Sequence, residues 1–145
     1  MVFSNGSWPS QEFLRQVNLY QNLILMRLSP SDLEMLQKVK DLLEKDYKYR
    51  YTQAQLANRF YINESKLRKG FICVYQIPIY EYQVSIRIAK AKELLAGTDE
   101  SVKCIAYHVG YDVKSLEKQF KKTTGMSPLE WRKKNSSMHS TNITT

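Results

Sequence analysis

Along residues 11–28 the apolar side chains Phe13, Val17, Tyr20 and Ile24 recur at three- and four-residue steps, the spacing of one helical face. Ser29-Pro30-Ser31-Asp32 reads as a break and a cap. A second helix follows with Leu33, Leu36, Val39 and Leu43 on its inner side, fading near Tyr47-Lys48-Tyr49. Thr52-Gln53-Ala54-Gln55 then has the form of a capping box, in which hydroxyl and amide each satisfy the other's backbone N–H. It opens a helix to about Arg59. Phe60-Tyr61-Ile62 forms a turn, and Asn63 caps a further helix whose Leu67 and Phe71, four apart, point inward.

The pattern then returns 49 positions later. Thr52 recurs as Ser101, Leu56-Ala57 as Ile105-Ala106, Asn63 as Asp112, Phe71 as Phe120 and Tyr82 as Trp131. Likewise Ser65-Lys66-Leu67 recurs as Lys114-Ser115-Leu116. Each copy has the layout helix, tight turn, helix, the arrangement that lays its second helix in a DNA major groove. Between the copies, Tyr75-Gln76-Ile77-Pro78-Ile79 breaks the pattern, and a helix from about Tyr80 to Leu95 carries Val84, Ile88, Ala91 and Leu95 on one stripe, closed by Gly97. At 1.5 Å per residue it is a strut of roughly 24 Å. With its flanking turns it comes close to the roughly 34 Å between successive major-groove faces.

In the second copy Ser101 caps a helix through about Val109, Gly110 supplies the turn, and Asp112 caps a helix from Val113 to about Lys122, ended by Gly125. Ser127-Pro128-Leu129-Glu130-Trp131-Arg132 opens a short last helix. The expected fold is all-α: two homeodomain-like helix-turn-helix units at about 52–73 and 101–122, joined by a linker helix at about 80–95. Residues 1–28 form an N-terminal helical extension, 29–134 the main domain, and 135–145 a disordered tail with little to bury.

Charge sharpens this picture. The chain of 145 residues has a formal net charge of +8. Residues 1–50 hold seven Lys/Arg against six Asp/Glu, whereas residues 51–145 hold fifteen against eight, so the positive excess lies on the repeated half and calls for an anionic partner. Cys73 and Cys104, both among apolar neighbours, read as buried thiols of a reducing compartment. The start has no secretory pattern, and the densest apolar run, Leu23 to Met26, is far shorter than a membrane span, which makes a cytoplasmic protein the expectation.

The chain resembles the AraC/XylS transcription regulators over about Asp32 to Lys133. The resemblance is carried by Arg87-Ile88-Ala89-Lys90-Ala91-Lys92-Glu93-Leu94-Leu95, by Ile105-Ala106 with Val109-Gly110-Tyr111, by Phe120-Lys121-Lys122-Thr123-Thr124-Gly125-Met126-Ser127-Pro128 and by Trp131-Arg132. It implies a DNA-binding domain of two helix-turn-helix units on a long helix, with RNA polymerase as a candidate second partner. Two positions depart from the family: Tyr61 and Gln76 stand where it usually has Gly. A left-handed Tyr61 would cost about 1–2 kcal/mol, so the first turn is expected to be reshaped. The second turn is one residue shorter than the usual family pattern, so that Gly110 to Leu116 spans the same distance as Tyr61 to Leu67. Many family members carry a separate ligand-binding domain of more than a hundred residues, and since the first fifty here cannot be one, the chain is expected to be either a stand-alone DNA-binding member or a fragment of a larger regulator.

The outward residues supply the candidate chemistry. Ser65, Lys66, Arg68 and Lys69 flank the inward Leu67, and Lys114, Ser115, Glu117 and Lys118 occupy the matching helix of the second copy; these are the candidate base readers. Arg68 is the strongest, because a guanidinium matches guanine O6/N7. Glu117 is expected to pair with Lys121 one turn on rather than with a cytosine amino group. Lys121, Lys122 and Arg59 are candidate phosphate contacts, joined by the helix starts at Thr52 and Ser101. His108 takes the place of Arg59 in the second copy, as a backbone contact or a solvent-facing residue. The bland alternative for all of these is a solvated charged face.

Two histidines and two cysteines far apart do not suggest a metal, no catalytic grouping is recognisable, and no cofactor is called for. Double-stranded DNA is the expected partner, with no membrane, and the oligomeric state is open. The rival reading is a helical protein-interaction module that has lost sequence-specific DNA reading and docks through residues 11–28.

Overall fold

A computed structural model describes residues 10–25 and 27–140, with the side chains of 20, 21, 24, 25 and 137–140 outside the description. The described residues are all-helical: α1 (Gln11–Leu25), α2 (Pro30–Lys45), α3 (Gln53–Arg59), α4 (Glu64–Tyr75), α5 (Ile79–Gly97), α6 (Val102–His108), α7 (Val113–Thr124) and α8 (Pro128–Ser140). The chain divides into two compact units. The first comprises residues up to Leu43 with Tyr51–Tyr82, and the second comprises Glu44–Arg50 with the residues from Gln83 onward.

In the first unit, Ser29 and Asp32 cap α2 reciprocally, Ser29 N–H donating to the Asp32 carboxylate at 2.9 Å and Asp32 N–H to Ser29 Oγ at 3.1 Å. The Thr52–Gln55 capping box of α3 forms as its sequence dictates, with bonds of 2.9 and 3.1 Å. Leu36, Val39, Leu43, Leu56, Leu67, Phe71 and Ile79 are buried together with Cys73, each large apolar side chain contributing about 1.5–3 kcal/mol. Gly70 lets α4 approach closely, since a Cβ there would meet Leu36 Cδ1 at 3.1 Å. Leu33, expected on the inner side of α2, is 41% exposed, one turn outside the Leu36–Val39–Leu43 stripe.

α1 lies against α4. Of its expected inner face, Val17 is half-buried, Phe13 is 49% exposed, and the side chains of Tyr20 and Ile24 fall outside the described residues. Leu14, Leu19 and Leu23 are also exposed.

The second unit buries Ile88, Ala91, Leu95, Ile105, Ala106, Val109, Leu116 and Phe120 in one cluster, with Val84 and Trp131 packed against it. Its centre of order is Arg87, 4% exposed. The guanidinium donates from Nε to Tyr47 O at 2.7 Å, from Nη2 to Lys48 O at 3.2 Å and from Nη1 to Gly110 O at 3.4 Å, and lies 4.8 Å from the Tyr111 ring centre. It thereby ties the segment after α2 to the turn after α6. Arg132 performs a similar task for the end of α5, donating to Leu95 O at 3.2 Å and Glu100 O at 2.6 Å.

Four expectations need correction. Cys104 is exposed, because Ile105, Ala106 and Val109 define the inner face of α6 and Cys104 lies just off it; Cys73 is buried. α5 begins at Ile79 and includes Gly97 instead of stopping before it; Thr98 then ends it, its N–H and Oγ both donating to Leu94 O. α8 continues past Lys134 to Ser140, since residues 131–140 hold neither Gly nor Pro to stop it, and the Asn135 amide donates to Trp131 O along its surface. Of the expected tail, residues 141–145 fall outside the description.

The fourth concerns the turns. Tyr61 is not avoided by reshaping: its φ is +53°, as left-handed as its counterpart Gly110 at +83°. Both turns close identically. Tyr61 N–H reaches Asn58 O at 3.4 Å and Ile62 N–H reaches Ala57 O at 3.0 Å; Gly110 N–H reaches Tyr107 O at 3.1 Å and Tyr111 N–H reaches Ala106 O at 2.8 Å. That pair of bonds is a Schellman closure, which demands a left-handed residue at its centre whatever the side chain. The ends of α4 and α7 are also left-handed, at Gln76 (φ +61°) and Gly125 (φ +80°), each closed by a single bond, Gln76 N–H to Ile72 O and Gly125 N–H to Lys121 O, both at 2.8 Å. Gln76 offsets part of its strain, its amide donating to Cys73 O at 2.9 Å.

Candidate nucleic-acid interface

In each unit the second helix of the motif is capped by a short polar side chain: Asn63 accepts from Lys66 N–H at 3.1 Å, and Asp112 from Ser115 N–H at 2.7 Å. The Ser115 N–H, followed by its hydroxyl, holds the Asp112 carboxyl below the usual carboxylate range. The cap fixes each helix start just after its turn. Leu67 with Phe71, and Leu116 with Phe120, bury one face, so the opposite face is turned to solvent by the helical period.

In the first unit Ser65, Lys66, Arg68 and Lys69 are all exposed on α4, and Thr52 and Arg59 are exposed on and before α3. They are not equivalent. Lys66 Nζ lies 2.8 Å from Asp32 Oδ2, whose side chain is 16% exposed. The Lys66 ammonium, then Ser29 N–H, holds the Asp32 carboxyl below its ordinary value. Arg68 and Lys69 form no ion pair among the described residues, and α4 therefore offers them to solvent uncommitted. Sequence alone missed the Asp32 anchor; the Ser29–Asp32 cap, which aims the carboxylate, was its available signal.

In the second unit Lys114, Glu117, Lys118, Lys121 and Lys122 are exposed on α7, whereas Ser115 is half-buried. No ion pair joins Glu117 to Lys121 among the described residues, so the expected structural pairing is not formed. Ser101 Oγ is occupied in accepting Cys104 N–H at 3.1 Å. His108 Nε2 sits 3.3 Å from Glu100 Oε2, a neighbour that its matching position to Arg59 did not suggest. The exposed face of α7 is strongly basic, with four lysines against one carboxylate.

A profile for a helix-turn-helix domain matches residues 56–134. The chain belongs to the AraC/XylS helix-turn-helix family. It is 30% identical over 99 residues to YdiP of Escherichia coli, an uncharacterized HTH-type transcriptional regulator, covering 66% of this chain and 33% of YdiP. This chain thus spans about a third of the length of that relative. Among solved structures it is similar to the C-terminal domain of AraT, a response regulator from Geobacillus stearothermophilus, with a TM-score of 0.67, 26% identity and coverage of 74% of this chain and 88% of that one. The DNA-binding domain of AdpA, a global transcriptional factor solved with a target DNA, shares the fold at a TM-score of 0.67, with 21% identity and coverage of 71% and 94%. No helix among the described residues is long and apolar enough to cross a membrane.

Proposed function

We propose that the chain is a sequence-specific double-stranded-DNA-binding transcription regulator, with α4 and α7 as recognition helices in adjacent major grooves. The observation that carries this reading is the recurrence of one capped helix with uncommitted cations, Arg68 and Lys69 on α4 and Lys114, Lys118, Lys121 and Lys122 on α7. DNA is an anion that itself repeats, presenting major-groove faces about 34 Å apart on one side, so a chain that carries the motif twice can read it in succession. AdpA, which shares the fold, was solved with its target DNA.

In this reading Arg68 and Ser65 read base edges, Lys69, Lys114 and Lys118 work between bases and phosphates, and Arg59, Lys121 and Lys122 hold the backbone. Lys66, committed to Asp32, positions α4 more than it reads. Thr52 and Ser101 contribute through the helix starts they cap.

Selection of bound sequences from a random duplex library at two salt concentrations tests it. The expected result is a motif of two blocks about one helical turn apart, bound with affinity that falls steeply with salt. Salt-sensitive binding without an enriched motif would reduce the protein to a non-specific binder. A second reading, a protein-interaction role for α1, is favoured by the exposed Leu14, Leu19 and Leu23. Removing residues 1–28 without loss of DNA binding, but with loss of self-association or partner binding, would assign α1 that role.

A further inference from the structure

We infer that Tyr61 is a DNA-backbone contact of the first helix-turn-helix, its phenol O–H donating to a phosphate oxygen at the mouth of the groove that α4 enters. The inference rests on the DNA-binding reading above and adds a residue that the recurring pattern of the two units does not provide.

Three observations carry it. First, the Schellman closure after α3 requires a left-handed residue, and at φ +53° this chain places there a tyrosine where the second unit places Gly110. A side chain held against its backbone preference calls for a compensating interaction, and such strain concentrates at functional positions. Second, the side chain itself makes no compensating contact within the protein. Among the described residues Tyr61, 96% exposed, is the most exposed of the large apolar side chains, and it has no hydrogen bond or ring partner through its side chain. Third, the two turns differ in what they permit. A Cβ at Gly110 would come within 2.5 Å of Lys48 O, so the second turn is closed to any side chain, while the first turn carries one freely in solvent.

Placement selects the ligand atom. The first helix of such a motif crosses the DNA backbone and the second enters the groove by its N-terminal end. Tyr61 lies between them, two residues before the Asn63 cap of α4, where a phosphate strand borders the groove. Bases within a duplex are stacked and closed to a ring, whereas phosphate oxygens accept tyrosine O–H bonds. A neutral donor there adds affinity without sequence preference and without displacing counterions.

The experiment compares the full chain with Tyr61→Phe and Tyr61→Gly, by titration at several salt concentrations on an enriched duplex and on a scrambled duplex of equal length, and by thermal unfolding. Tyr61→Phe is expected to weaken binding about tenfold on both duplexes, as loss of a hydrogen bond to a charged group does, with an unchanged slope of log affinity against log salt. Tyr61→Gly is expected to bind as weakly while its unfolding midpoint rises by about 4 °C or more, since the strain is relieved. Wild-type affinity in either variant would overturn the inference and leave the DNA-binding reading intact. A lower midpoint in Tyr61→Gly would make Tyr61 structural and overturn it equally. Failure of the unaltered chain to bind either duplex would overturn both readings.

Discussion

Lys66 Nζ stands 2.8 Å from Asp32 Oδ2, so a cation on the exposed face of α4 is tethered to the start of α2. The tether is doubled by chemistry at the other end, because the same carboxylate accepts Ser29 N–H. Asp32 consequently ionises below its ordinary value of 3.8. A carboxyl depressed in the folded state contributes stability that is full above its unfolded pKa and is lost as pH falls through the folded one. The urea midpoint of the protein should therefore exceed that of Asp32→Asn at neutral pH, and the gap should close on acidification below about pH 4. A gap independent of pH would mean that the carboxylate's charge is irrelevant there. The same substitution frees Lys66, and tighter binding to all duplexes with a steeper salt slope is expected.

Arg87 joins three backbone carbonyls of the second unit through one buried guanidinium. Removing its guanidinium strips hydrogen bonds from Tyr47 O, Lys48 O and Gly110 O at once. Arg87→Met should destabilise by about 2–4 kcal/mol, since bonds from a charged donor are worth about 1.5–3 each and partial access of water restores some. Arg87→Lys should recover little, because one ammonium cannot span carbonyls arranged for a planar fork. Denaturant titration reads both, and full recovery by Lys would show that charge alone suffices.

The helices were legible because their causes are local: Thr52 with Gln55, Asn63, Ser101 and Asp112 each name a helix start by a side chain three residues from its target. What the sequence hid is long-range. Nothing near Arg87 says that its partners lie 40 positions earlier at Tyr47 and 23 later at Gly110. Nor does Lys66 announce that Asp32, in another helix, has claimed it. Tyr61 misled for a different reason: local preference argued against a left-handed tyrosine, and the Schellman closure with the packing on both sides of it overrode that preference. The Glu117–Lys121 spacing allowed an ion pair that helix geometry alone does not enforce.

Gln76 and Gly125 provide a matched pair for that strain. Gln76→Gly removes a left-handed side chain but also its bond to Cys73 O, so its stability should stay within about 0.5 kcal/mol of the original. Gln76→Ala keeps the strain and loses the bond, and should cost about 1 kcal/mol. A Cβ at Gly125 would meet nothing within 4 Å, so Gly125→Ala isolates the backbone term at about 1–2 kcal/mol. Denaturant titration reads all three, and an unchanged stability in Gln76→Ala would mean that the amide bond to Cys73 contributes nothing.

Arg68 and Lys122 separate reading from holding. Both are exposed and free of ion pairs among the described residues, but a planar fork can discriminate a guanine edge where a flexible ammonium cannot. Arg68→Ala should therefore cost about 1–3 kcal/mol on the enriched duplex, much less on a scrambled one, and relax preference at one base position in a repeated selection. Lys122→Ala should weaken both duplexes alike and flatten the salt slope by about 0.9, the release of one counterion. Glu117, left without Lys121, supplies the internal control. As an unpaired carboxylate facing phosphates, it should give tighter binding to every sequence when changed to Gln, whereas as a reader of cytosine it should give weaker binding to the enriched duplex only. Competition titrations of the three variants against the same pair of duplexes distinguish these outcomes, and identical losses in Arg68→Ala and Lys122→Ala would sink the division of roles between α4 and α7.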